Sequence, residues 1–545
     1  MTEGQTRRFA APPFLVGTLL LFCALTFYYF AVLRVDYSKT ALLDLGPHPD
    51  ASEYFAQAKA LLKDRWPSIQ IGYDKLPSRY PFGYPALMLP WLKILPAPDA
   101  ILAPFRTNQT LGLLLLLAVF AFYAYLAMPQ TGGLAALLLA TLPGFFTFCR
   151  SSMSEISASA LIVLAFMFAY LGLKEERRWK IYLAAVLLGL SLNVRIQSLF
   201  FAPLLLAMAL LPAKGKRFSW FLHCAALPIV FALAASPVLM LNAIEFHSPL
   251  RTGYAFWLPT TQIPKGLIFS VYSIRSNAGM LWREFTLCPH AFYVANIFGT
   301  GTSFVAAFVL LLCAGLFFIR STRFITCAFL AGGLNLFAMI GTYQADVRYY
   351  LPLLMLSVAV AVLPVTWAAE NLVNGKRIVP SLAMFVLFAV ACLGYPSHSG
   401  YNTVGIDRSQ AWDALHFTAQ ARQSSRFIAQ EHFVELFGAE PGIVLSDIDP
   451  VYLNALLPEQ FAAAPLDGKH LYRFSPMWRY DQPEAVALVR RGLDQSLPVY
   501  ALFVSRKEMD EKAPRLPELD GYEWVAAENS PTKEAVILKL TPSSQ

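Results

Sequence analysis

The sequence predicts a polytopic α-helical membrane protein of about eleven spans, N-terminus inside and C-terminus outside, with a C-terminal extracytoplasmic α/β domain. Three observations lead to that class. Of 545 residues, 57% are hydrophobic and 14% charged, against about 25% charged in a typical soluble chain. Apolar runs near the roughly 20 residues that cross a bilayer recur along the first 395 positions. Beyond residue 395 the charge rises, the apolar runs shorten, and helical and β-rich stretches alternate.

The spans fall at 13–33, 108–127, 133–149, 156–173, 181–194, 196–212, 218–241, 291–319, 323–341, 349–368 and 378–394. Arg7 and Arg8 precede the first run, which is too long for a secretory leader and lacks a small-x-small cleavage site, so it reads as an uncleaved span. Between the first two spans, the segment SEYFAQAKALLKD has helical periodicity, with Tyr54, Phe55, Ala58, Leu61 and Leu62 on one side and Ser52 placed to cap it. The next stretch, YPFGYPALMLPWLKIL, carries Pro81, Pro85, Pro90 and Trp91 and suits a segment lying along the membrane surface. In the tail, SSRFIAQEHFVELF and PEAVALVRRGLDQS read as helices, residues 443–447 and VYALFVS as strands, and EWVAAE with AVILKLT as a hairpin-like pair. The expected division is a membrane domain over 1–395, including outer loops 34–107 and 242–290, and a soluble domain over 396–545.

Loop charge sets the orientation. Arg7 and Arg8, then Lys174, Arg177, Arg178 and Lys180, then Lys214, Lys216 and Arg217, then Arg320 and Arg323, then Lys376 and Arg377 all fall on one side. The opposite turns hold single arginines, Arg150, Arg195 and Arg348. The formal charge of +8 follows from these basic inner loops and calls for no nucleic-acid partner. The seven cysteines form no disulfide framework, and the eight histidines show no metal-ligand spacing.

The chemistry is concentrated on the outer side. Asp50 and Glu53 are three positions apart at the start of the predicted loop helix. They read either as helix N-terminal anions, worth about 0.3–1 kcal/mol, or as a general base at the membrane face. Arg79, Arg150, Arg195 and Arg348 share that side; a guanidinium grips phosphate with a planar fork, while arginines near span ends also snorkel to headgroups without any substrate. Glu155 reads as a partner of Arg150 or as a further carboxylate facing the same cavity. Asn193 and Gln197 flank Arg195 and are placed for sugar hydroxyls, and Tyr349 and Asp346 neighbour Arg348.

The order of these motifs resembles the GT-C superfamily of integral-membrane glycosyltransferases, in the branch of protein O-mannosyltransferases and aminoarabinose transferases. The matching pieces are Asp50, Glu53 and Tyr54 in the first outer loop, the stretch RYPFGYPALMLPWL, Arg150 with Glu155, LLGLSLNVRIQSLFFAPLL and DVRYYLPLLMLSVAV. The family often has adjacent acids in this loop, whereas Ala51 and Ser52 intervene here. The resemblance implies a polyprenyl-phosphate sugar donor, a glycan, lipid or protein acceptor, and an inverting transfer at the outer face of a bacterial inner membrane. It implies Asp50, Glu53 and Glu155 as catalytic, with Asp50 as base. It implies Arg79, Tyr80, Arg150, Arg195, Gln197, Arg348, Tyr349 and Tyr54 as substrate-binding. Some relatives bind a divalent metal, which this sequence does not demand. The competing readings are a transporter or flippase of a lipid-linked sugar, which polytopic architecture serves equally well, and an O-antigen ligase- or polymerase-like enzyme.

Overall fold

The structure is a computed structural model describing residues 11–34, 50–141, 143–210, 217–254, 425–437, 441–446, 461–465, 482–527 and 536–543, with eleven single positions between them. In chain order, α1 is Ala11–Tyr28, continued by a π-helical turn over Tyr29–Leu33. Next come α2 (Asp50–Asp64), the hairpin β1 (Ile69–Ile71) and β2 (Asp74–Leu76), and α3 (Gly83–Ile94). Then follow α4 (Ala103–Tyr125), α5 (Pro129–Ala140), α6 (Pro143–Cys149), α7 (Glu155–Lys174), α8 (Arg178–Val194), α9 (Pro203–Leu210) and α10 (Arg217–Phe246). The C-terminal elements are α11 (Ser425–Phe437), β3 (Gly442–Ser446), β4 (Phe461–Pro465), α12 (Gln482–Asp494), β5 (Val499–Phe503), α13 (Arg506–Lys512), β6 (Tyr522–Ala526) and β7 (Val536–Pro542). The predicted spans from 291 onward lie outside the described residues.

The described residues divide between two compact units. One draws on Met1–Val35, Phe105–Val238 and Ile268–Thr418, the other on Asp36–Pro104, Leu239–Leu267 and Ala419–Gln545.

The first unit is helical. Among the described residues, four helices are long and apolar enough to cross a membrane: Pro13–Leu33, Asp99–Tyr125, Glu155–Lys174 and Phe221–Phe246. The run expected as one span at 133–149 is instead two helices, α5 and α6. Pro143 opens α6, because a proline starts a helix without loss but cannot continue one. At 12 residues α5 is about 18 Å long, short of a bilayer core of about 30 Å. It packs inside the unit, with all but one of its residues buried. Glycine makes that packing close: a Cβ on Gly133 would strike the carbonyl of Gly17, and one on Gly17 the carbonyl of Pro129. The run expected as a span at 196–212 is a 3-10 turn over Ile196–Phe201 followed by α9.

The second unit is built on a five-stranded sheet of order β4-β3-β5-β7-β6. β3 pairs in parallel with both β4 and β5, and β7 runs antiparallel to β5 and β6. Central strands covered on both faces read as unbroken apolar runs, and GIVLS and VYALF do so, with every residue buried. One face carries Val444, Tyr500, Leu502 and Ile537 against Ala429 and Phe433 of α11 and against Ala51 and Phe55 of α2. The other carries Ile443, Leu445, Val499 and Phe503 against Ala485, Leu488 and Val489 of α12. The first outer loop thus supplies one helix of the α/β layer. It also supplies the β1–β2 hairpin, whose Gly72 takes φ 57° at the turn and donates its N–H to the carbonyl of Ala463 on β4 at 2.8 Å. Asn454 ties the same edge, donating Nδ2 to the carbonyls of Gln70 (2.8 Å) and Ala463 (3.0 Å) and accepting from the Ala463 N–H (2.9 Å). Neither the hairpin nor β4 was expected. Three alanines give β4 little strand propensity, and its pairing along β3 supplies what propensity lacks.

Candidate active site

The acidic cluster sits at the N-terminal turn of α2, where Asp50, Ser52 and Glu53 are all buried. Ser52 was expected to cap this helix; the helix already includes it, and its buried Oγ makes no hydrogen bond. The two carboxylates have different surroundings. Glu53, 1% exposed, is surrounded by donors. Its Oε1 meets the Arg79 guanidinium at 2.5 Å (Nη2) and 2.7 Å (Nε). Its Oε2 accepts from Ser78 Oγ at 2.8 Å and from the Arg79 backbone N–H at 3.1 Å. Gln57, one turn along α2, donates to Ser78 Oγ at 2.8 Å and holds that hydroxyl in line. Burial raises the Glu53 carboxyl from its ordinary range, and Arg79 and Ser78 oppose the rise. Burial likewise works against the Arg79 charge, but Glu53, Tyr80 and Asp50 outweigh it and hold the guanidinium protonated.

Asp50, 8% exposed, accepts a short hydrogen bond from the Tyr80 hydroxyl on Oδ1. The Tyr80 ring lies 5.3 Å from the Arg79 guanidinium carbon, and an aromatic wall continues from it. Tyr54 packs on Tyr80 at 4.8 Å and on Tyr84 at 5.1 Å, and Tyr254 closes on Tyr80 at 5.5 Å. The segment bearing Tyr254 approaches closely at Gly253, where a Cβ would strike the Ser78 carbonyl. Of the residues expected here, Asp50, Glu53, Tyr54, Arg79 and Tyr80 come together. Gln57, Ser78, Tyr84 and Tyr254 had not been singled out.

The membrane unit holds a second polar cluster. An irregular segment, Arg150–Ser154, joins α6 to α7 with every residue buried. Asn108 of α4 holds it: Nδ2 donates to the carbonyls of Ser151 (2.9 Å) and Met153 (2.6 Å), and Oδ1 accepts from Ser157 Oγ (3.2 Å). Beside it, Gln109 Nε2 donates to the Val32 carbonyl at 3.0 Å, and the Tyr28 hydroxyl donates to the Gln109 carbonyl at 2.7 Å, tying α4 to the π turn. Glu155 opens α7 and pairs with Arg195 Nη1 at 2.5 Å, a partner not foreseen. Arg195 sits at an extended break (φ −148°, ψ 126°) between α8 and the 3-10 turn, and its Nη1 also reaches Ser154 Oγ at 3.4 Å. Gln197 is half-buried in that turn.

Asn193, expected as a sugar contact, is hydrogen-bonded to the backbone of α10. Its Nδ2 donates to the Ala234 carbonyl at 2.8 Å and its Oδ1 accepts from the Val238 N–H at 2.9 Å. The side chain is inserted where Pro237 interrupts the hydrogen-bond ladder of α10. Arg348 and Tyr349 lie outside the described residues. No group of three His, Cys, Asp or Glu side chains able to hold a metal gathers among the described residues. Both Glu53 oxygens are taken by Arg79 and Ser78, so the acidic cluster does not fit a metal through that residue.

No protein-family model matches the chain, and no curated protein matches it. Solved structures do. ArnT from Cupriavidus metallidurans bound to undecaprenyl phosphate superimposes with a TM-score of 0.59 at 11% identity, over 96% of this chain and 97% of that one. The apo form of the same protein gives 0.59 at 12% identity over the same shares. The chain shares the fold of that protein. The likeness is one of fold over nearly the whole length; at this identity it carries the architecture and not the individual roles of residues. The fold shared with ArnT, together with four helices among the described residues that are long and apolar enough to cross a bilayer, is that of an integral membrane protein.

Proposed function

We propose that this protein is a membrane glycosyltransferase that moves a sugar from a polyprenyl-phosphate donor to a hydroxyl or amine acceptor at the outer face of a bacterial inner membrane. The observation that carries the reading is the contrast between two carboxylates three residues apart on α2. Glu53 is surrounded by Arg79 and Ser78 and serves as the anchor that locks the 78–80 segment to the helix. Asp50 accepts a hydrogen bond from the neutral Tyr80 phenol where Glu53 is paired with a guanidinium, and a carboxylate held in place by a phenol is suited to general-base work. Environments that differ this much assign different tasks to neighbouring carboxylates.

In this mechanism Asp50 takes the proton of the acceptor. The acceptor atom attacks the anomeric carbon, the carbon–oxygen bond to the lipid phosphate breaks, and the configuration inverts. Negative charge then grows on the departing phosphate. Arg195 and Arg150 are the membrane unit's cations suited to it, because a guanidinium carries five donors in a planar fork that matches phosphate oxygens. Glu155 orients Arg195 in this scheme. Arg348, Tyr349 and Gln197 are proposed as further donor contacts. Support comes from the ArnT likeness, since that protein binds undecaprenyl phosphate. The test is release of polyprenyl phosphate by the detergent-solubilised protein offered a panel of polyprenyl-phosphate sugars. Release that depends on donor supports the reading, and its absence with every donor by folded protein refutes it.

A further inference from the structure

The helix that carries Asp50 and Glu53 is anchored in the C-terminal sheet. Ala51 and Phe55 of α2 lie in one apolar core with Ala429 and Phe433 of α11, Val444 of β3, Tyr500 and Leu502 of β5, and Ile537 of β7. Ala51 directly follows Asp50, and Phe55 lies one turn further on the same helical face. The opposite face of the sheet has its own core around α12, and α2 takes no part in it. The Gly72 and Asn454 hydrogen bonds join the loop and the sheet again at the β4 edge.

We propose that the C-terminal α/β domain is the positioning module for the acidic helix: its α2-facing core places Asp50, and through Asp50 sets turnover. Phe433 and Tyr500, whose rings meet at 5.4 Å, are the positioning residues, since they are the buried aromatic side chains of α11 and β5 in the core that Ala51 and Phe55 share. This inference rests on Asp50 being the base. A catalytic group displaced by about 1 Å can lose on the order of 100-fold in rate. A cavity beneath α2 should therefore act on turnover more than on donor binding.

The experiment compares three full-length variants. Phe433→Ala and the milder Phe433→Leu open the core under α2, and Val489→Ala opens the core on the opposite face of the same sheet. Hydrogen exchange is read at the α2 amides, and kcat and donor KM are measured from polyprenyl-phosphate release. The expected result is faster α2 exchange and a roughly 10- to 100-fold lower kcat in the Phe433 variants. Donor KM should stay within about twofold. Val489→Ala, matched for thermal midpoint, should keep both α2 protection and kcat. Equal kcat losses on the two faces, or unchanged α2 exchange in Phe433→Ala, would overturn the proposal. If wild type releases no polyprenyl phosphate, the transferase reading fails by itself. The exchange arm then still decides whether the domain holds the helix, and unchanged exchange overturns the positioning claim.

Discussion

Replacing Glu53 with glutamine keeps the side chain's shape and removes its charge. The carboxylate receives the guanidinium at 2.5 and 2.7 Å, Ser78 Oγ at 2.8 Å and the Arg79 N–H at 3.1 Å. A glutamine has one carbonyl oxygen to offer, and its amide nitrogen would face donors on the other side. Hydrogen bonds to a charged group are worth about 1.5–3 kcal/mol, and removing one partner of a buried pair costs about 3–5 kcal/mol. Arg79 keeps 16% exposure, so water recovers part of the loss and the lower end, about 3 kcal/mol, applies. At about 2–4 °C per kcal/mol for a domain of this size class, the outer unit should melt about 6–12 °C lower in detergent. The double variant Glu53→Gln/Arg79→Met should cost less than the sum of the singles, because the second change removes the stranded cation. A melting shift under about 2 °C for Glu53→Gln, or strict additivity in the cycle, would show that the pair is not the anchor described here.

Further outcomes follow from the same contacts. Tyr80→Phe removes the hydroxyl that fixes Asp50, so turnover should drop at least about tenfold while stability changes by roughly 1 kcal/mol, checked by steady-state kinetics beside thermal unfolding. Asn108→Leu strands the carbonyls of Ser151 and Met153 at about 1–3 kcal/mol each, so the melting midpoint should fall and donor KM should rise. In Asn193→Leu the α10 ladder loses its bridge at Pro237, so folded yield should fall while kcat per folded molecule stays within about twofold; a specific rise in donor KM there would restore the sugar-contact role.

Much of the membrane unit was legible because hydropathy is a one-dimensional signal. The runs that became α1, α7 and α10 are long, apolar and bounded by charge. The α5–α6 break was less visible, since apolar content continues across Pro143 and only the proline marks the turn. Helix α2 was readable from Tyr54, Phe55 and Ala58, but its partners lie more than 370 residues away, beyond the reach of periodicity. In the site, Asp50 and Glu53 stood out as acids at a membrane border, yet only the geometry shows that Glu53 is paired with Arg79 and Asp50 with the Tyr80 hydroxyl. The asparagines show the same limit. Asn193 drew notice by adjacency to Arg195 and holds a proline kink, whereas Asn108 holds the Arg150 segment and passed unremarked. Its signal was present in the polar run Arg106–Thr110 in the first turns of an otherwise apolar helix, since polar groups inside a membrane are costly without a task.

The central claim is that Asp50 is the base of a lipid-dependent sugar transfer. The most direct measurement is donor-dependent release of polyprenyl phosphate by wild type, Asp50→Asn and Glu53→Gln at matched folded concentration, with donor affinity measured in parallel. The account predicts release by wild type, and loss of release with retained donor binding in Asp50→Asn. Equal release by wild type and Asp50→Asn would contradict it and move the base to another carboxylate.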